Sequence, residues 1–150
     1  MSNPDNLLVL EPELMARLTE QLADLVPKVH VFAAADLAGV TEAAQITPAV
    51  HVVYQGHRIN ESRSDGKAAR MEQTWLAIVA TRNVSNLRSG SAARTDAGLI
   101  AMRVCMALMG FKPPAASKPL CLANGPGSGF SAGFQYLPLA FVTELALSKP

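Results

Sequence analysis

Cysteine, tryptophan and charge are all scarce in these 150 residues, and each scarcity excludes something. The two cysteines, Cys105 and Cys121, have neither CxxC nor zinc-ligand spacing, which rules out a disulfide framework and a zinc module. Both lie in apolar stretches and are expected to be buried free thiols of a protein made in a reducing cytoplasm. The 13 basic residues are nearly balanced by 12 acidic ones, and the net charge of +1 lacks the basic excess of a general nucleic-acid binder. A local basic patch stays open. No apolar run approaches the ~20 residues of a membrane helix, so no membrane partner is expected. The first residues, Met1-Ser-Asn-Pro-Asp5, carry no basic region or apolar core of a secretory signal.

What is present describes a globular chain. A hydrophobic fraction of 49% with 17% charged residues is far from disorder. The length favours one domain over 1–150, with residues 1–10 as an N-terminal arm. Low charge and a positive mean hydropathy of +0.19 suggest apolar surface buried between subunits.

A long strand signal is Glu72–Arg82, which carries Trp75, the single tryptophan. Before it, Leu14, Leu18, Leu22 and Leu25 form one stripe of a helix over Glu11–Val26, with Pro12 in the first turn and Pro27 beyond its end. A short strand is expected at Val29–Ala33 and a helical turn in the alanine-rich Asp36–Ala44. Another strand is expected at Ala49–His57, where Val50, Val52 and Tyr54 alternate with His51, Val53 and Gln55. A projecting loop, Asn60–Ala69, should join it antiparallel to the tryptophan strand. A second loop over Asn83–Arg94 leads to a helix capped by Thr95 or Asp96 and running to Met109. That helix is apolar on nearly every side, so a sheet and a neighbouring element or subunit should cover it, with the Met102, Met106 and Met109 stripe read as core. A short strand at Leu120–Leu122, a glycine-rich turn at Asn124–Gly133 and a strand from Phe134 to Leu147 complete the chain. Pro138 points to an edge or a bulge. The fold class is α+β, with a mainly antiparallel sheet of about four to five strands and two main helices.

Reactive clusters are not apparent. Gly125-Pro-Gly-Ser-Gly129 is followed by a strand rather than a helix, and no Gly-Lys-Ser/Thr is present, so it reads as a hairpin loop and not a phosphate cradle. Ser128 lacks the Gly-x-Ser-x-Gly elbow. His51 and His57 share a predicted strand and a face, but a metal would need a third ligand. No catalytic, cofactor-binding or metal-binding residue is assigned, and no cofactor is expected. What remains is charge on the two loops: Arg58, Arg63, Lys67 and Arg70 with Glu61, Asp65 and Glu72, then Arg88 and Arg94. These six basic residues are the candidate interface, since matched charges set register and on-rate at a docking surface.

The order of several stretches resembles the tail-terminator proteins of long-tailed bacteriophages, most of all a Mu-type group. They are Val26-Pro-Lys-Val-His-Val-Phe32, Ala34-Ala-Asp-Leu37, Gln45-Ile-Thr-Pro-Ala-Val-His-Val-Val-Tyr54, the Trp75 strand, Ala93-Arg-Thr-Asp-Ala-Gly98 and Gly110-Phe-Lys-Pro113. The similarity runs from about Glu11 onward. It implies an α+β subunit of a homo-hexameric ring that caps the tail tube, stops its polymerisation and forms the joining surface for head-completion or connector proteins. It also implies a place in the virion, at the head-proximal end of a tail assembled in the host cytoplasm, with phage DNA passing through the lumen. It carries no active site. The residues leave two other readings open: a head–tail joining or minor tail protein, and a small ligand-binding or hydrolytic α+β domain using His51, His57 and Ser128.

Overall fold

Leucines four residues apart open the structure as they open the sequence. In the computed structural model, which describes residues 3–34, 45–82, 91–131 and 133–150 (of 91–95 and 131, the backbone only), helix α1 spans Leu10–Gln21. Leu10, Leu14 and Leu18 are buried, and Leu22 just beyond the helix completes the stripe. Glu11 and Glu13 sit in the first turn, where carboxylates complement the helix dipole. The helix stops five residues short of the expected Val26. Pro27 disfavours helical geometry at the residue before it, and Arg103 Nη2 donates to the Gln21 carbonyl at 3.0 Å, replacing a helical partner. Residues ahead of α1 are tied down: Asn3 exchanges two hydrogen bonds with the Ser148 backbone, at 2.6 and 2.8 Å, and the Leu7 carbonyl accepts from Gln73 Nε2 at 2.8 Å.

Among the described residues six strands form one mixed sheet: β1 (His30–Ala33), β2 (Ala49–Ser62), β3 (Ala68–Arg82), β4 (Cys121–Ala123), β5 (Gly129–Ser131) and β6 (Phe134–Ser148). Their order is β1-β2-β3-β6-β4, with β5 also paired to β6. Among the described residues only β1 and β2 run parallel; the other pairings are antiparallel. This is the expected α+β class with one strand more. The addition is β5, inside the stretch read as a glycine-rich turn. It closes a tight hairpin onto β6 next to Gly133, whose φ of 87° is accessible mainly to glycine. Pro138 lies between the stretches of β6 paired to β5 and to β4, where no outer neighbour needs its missing N–H.

The expected loop at Asn60–Ala69 is instead half strand. β2 and β3 continue past the helices as a ribbon, with Ser62 opposite Ala69, and turn only through 63–67. Gly66 (φ 74°) takes the left-handed position of that turn. The ribbon is three strands wide, because β3 pairs one-to-one with β6 as far as Ala68 opposite Ser148. Arg58, Glu61, Arg70 and Glu72 belong to exposed two-faced strands, which a reading based on apolar runs misses, while Arg63, Asp65 and Lys67 lie in the turn.

Helix α2 spans Ser91–Leu108 and starts earlier than the Thr95 or Asp96 cap expected, because Ala92 and Ala93 are strong helix formers. α1 lies over β1 and β2, α2 over β3 and β6. Two arginines clasp the antiparallel helices reciprocally. Arg17 of α1 donates to the Ala107 carbonyl at the end of α2 (2.9 Å) and stacks over Phe111. Arg103 of α2 reaches the end of α1 and pairs with Asp24. Each guanidinium sits where the helix dipole is negative. Gly110, with φ 77°, ends α2, and its N–H donates to the Leu120 carbonyl. Trp75, Val79, Phe141 and Leu145 of the sheet meet the leucines of α1 and Val104 and Leu108 of α2 in one core. The turn expected at Asp36–Ala44 lies outside the described residues, as does residue Arg88; Arg94 is described only as backbone.

Candidate functional site

The histidine pair that the sequence places on one face is split by the backbone. His51 faces Ile78 across the sheet and His57 faces Gln73, positions of opposite parity on β3 and so on opposite faces. The cause is a β-bulge between Tyr54 and Gly56, which inserts Gln55 and reverses the alternation. His51 is buried and stacked on Phe32, itself stacked on His30. His57 is exposed, its Nδ1 2.7 Å from the Tyr54 hydroxyl. Ser128 is exposed in the segment before β5. These three are not brought together. Among the described residues no group of three or more His, Cys, Asp or Glu side chains is placed to hold a metal.

The ribbon carries four of the six basic candidates, and three of those four are already paired. Arg58 lies 3.6 Å from Glu72. Arg63 forms a fork with Asp65 at 2.7 and 2.8 Å across the turn, and Arg63's hydrogen bond, then that from the Lys67 N–H, hold the Asp65 carboxyl below the usual carboxylate range. Arg70 bridges Glu61 and Glu144, both at 3.2 Å. Lys67 forms no ion pair among the described residues. The ribbon is therefore a ladder of alternating sign and not a basic patch. A shallow depression of about 370 Å³ on it is lined by Glu61, Arg63, Arg70 and Leu147 among others.

Glu144 is the anchor of that ladder and was not singled out by sequence. It is 2% exposed and also pairs with Lys118 at 3.3 Å and with the Ser117 hydroxyl. Burial pushes its carboxyl up, but the hydrogen bonds from Arg70 and Lys118 and the charge of Lys118 outweigh it and hold the group below the usual range. The available signal was its isolation: it is the only charged residue in Phe134–Ser148, and a lone carboxylate in an apolar strand needs partners.

The second surface is the outer side of α2. Ala97, Ile100, Ala101, Val104, Ala107 and Leu108 turn inward. Leu99, Met102, Met106 and Met109 are instead 66, 60, 62 and 47% exposed. The methionine stripe expected in the core is thus on the surface. The small side chains Ala97, Ala101 and Ala107 occupy the sheet side, where they let the helix approach closely, and the long ones are left outside. Near Leu99 the stripe meets a cavity of about 380 Å³ lined by Leu25, Val26, Pro48, Thr81, Asp96 and Ile100 among others. Val26 at its rim is 95% exposed.

The cysteines differ as well. Both are free. Cys105 is half-buried and burial raises its thiol pKa. Cys121, expected to be buried, is exposed on the edge strand β4, which is too short to cover itself.

Compared with known proteins, residues 6–149 match the family model described as phage tail terminator protein. Among solved structures the chain is similar to one from the virion of a native gene transfer agent particle, at 15% identity and a TM-score of 0.52, covering 89% of this chain and 94% of that one. That likeness is one of fold. No curated protein matches the chain.

Proposed function

The chain belongs to the phage tail terminator family, and we propose that it is a non-enzymatic structural protein of the virion that caps the tail tube, ends its polymerisation and forms the joining surface for head-completion or connector proteins. The observation that carries this reading is the extent of the family match, from residue 6 ahead of α1 to residue 149 beyond β6, which takes in every element of the fold. The subunits form a homo-hexameric ring at the head-proximal end of a tail assembled in the host cytoplasm, with DNA passing through the lumen. A closed ring needs two different patches per subunit, joined head to tail.

Within this reading the ribbon touches the tail tube. Its paired, alternating charges suit a contact that fixes register, since such charges steer docking more than they add affinity. Deleting the gene from a tailed phage that encodes this protein should give tails of uncontrolled length that fail to join heads, seen by negative-stain imaging. Tails of normal length on a deletion phage would refute the capping role. The doubly reversed Arg63→Glu, Lys67→Glu protein should fold normally and cap tails about tenfold less efficiently; normal capping would remove the ribbon from the tube contact.

A further inference from the structure

We infer that the outer stripe of α2 is covered by a second copy of this chain, and that the neighbour's contribution is the apolar cluster of Leu7, Leu8 and Ile59. The inference rests on the ring reading above and assigns the surfaces that close it.

Leu99, Met102, Met106 and Met109 fall on one line along the helix, each about half to two-thirds exposed. The one charged residue inside this stretch, Arg103, is turned away and held by Gln21 and Asp24. The stripe itself is apolar along its length; the cavity it meets near Leu99 adds Leu25 and Val26 but is also lined by the charged Arg82 and Asp96. Such a patch reaches the largest that monomers ordinarily expose, roughly 300–600 Å². It would supply more than half of the about 800 Å² that one partner contributes to a standard stable interface. Cores of permanent interfaces are depleted in charge, and flexible methionines adapt to an opposing surface. The ribbon, with its exposed ion ladder, has the opposite chemistry, which separates a lasting subunit contact from a docking contact.

The complement lies away from the stripe, on the sheet and the segment before α1. Leu7, Leu8 and Ile59 are 47, 42 and 48% exposed. The Leu7 carbonyl is bonded to Gln73, whose strand partner His57 is two residues from Ile59 on the same face. Ile59 lies on β2 and Leu7 is tied to β3 through Gln73, so this cluster sits on the sheet, whereas the stripe lies on the outer side of α2. Two different apolar patches give a head-to-tail contact; one patch meeting itself would give only a dimer.

The test is photo-cross-linking with p-benzoyl-phenylalanine in place of Met106, in assembled tails and in the purified full chain. The expected product has twice the subunit mass, with the cross-linked peptide mapping to residues 7–8 or 59. Met102→Glu, Met106→Glu should weaken self-association at least 100-fold by sedimentation velocity while far-UV circular dichroism stays unchanged. An adduct to another virion protein, an adduct from stripe to stripe, the absence of any adduct, or unaltered association of the double variant would each overturn the assignment. Finding the protein absent from particles would instead defeat the functional reading, and the purified chain would still decide the interface.

Discussion

One strand, β3, passes through two different environments. Around Trp75 it lies beneath the helices: Trp75, Ala77 and Val79 are buried, the indole N–H donates to Gln73 at 3.0 Å, and the Tyr54 ring tilts against it. Five residues back, roughly 17 Å along the strand, Arg70 stands half in solvent between two carboxylates. The first end is held by apolar burial, which is non-directional and strong. The second is held by ladder hydrogen bonds and exposed ion pairs, whose individual contributions are small. Glu144 joins the two regimes, since it is buried like the core and paired like the ribbon. A subunit with one end built for stability and the other for contact can vary the second without unfolding.

The sharpest way to break this contrast is at Trp75. Trp75→Ala should cost about 3–5 kcal/mol in denaturant unfolding, as expected for truncating a fully buried aromatic. A loss below 1 kcal/mol would mean that the helix-covered end is not the stable one. Next is Glu144→Gln, expected to cost about 2 kcal/mol at neutral pH, because Arg70 and Lys118 lose a charged partner but are themselves half-exposed. Its carboxyl is depressed when folded, so the stabilisation is complete above the ordinary value of 4.5 and lost as pH falls through the lower folded value. The gap between wild type and variant should close over that acid range; a gap independent of pH would assign the effect to packing. The smallest difference is chemical. Maleimide should label exposed Cys121 rapidly and half-buried Cys105 slowly under native conditions, and equal rates would show that α2 opens readily.

Much of the fold is written in local patterns. The leucines of α1, the alternation of β2 and the long apolar β6 are periodic signals, and Gly110 marks the end of α2 correctly, whereas α1 stops well before Pro27. The ribbon was hidden because Arg58, Glu61, Arg70 and Glu72 look like loop residues until their partners across the strands are known. The orientation of α2 was hidden for another reason. A helix apolar on every side has almost no preferred face, and only its alanines indicate which side approaches the sheet. Of the candidate interface, Arg58, Arg63, Lys67 and Arg70 do share the ribbon, but Glu144, a partner of Arg70, lies 74 residues from it in sequence, beyond the reach of spacing arguments.

The bulges of β2 also bear on how chain length can change. Fourteen residues of β2 run beside only twelve of β3, with Gln55 and Asn60 in surplus. Losing either would leave every remaining pair opposite its present neighbour and remove only a local kink. β3 and β6 have no such slack, with fifteen residues meeting fifteen. A deletion inside β3 would slide half the strand past both neighbours and turn its buried side chains outward. The outer strand of the ribbon can therefore shorten by a residue and the middle one cannot, so the ribbon's length is adjustable from one side only.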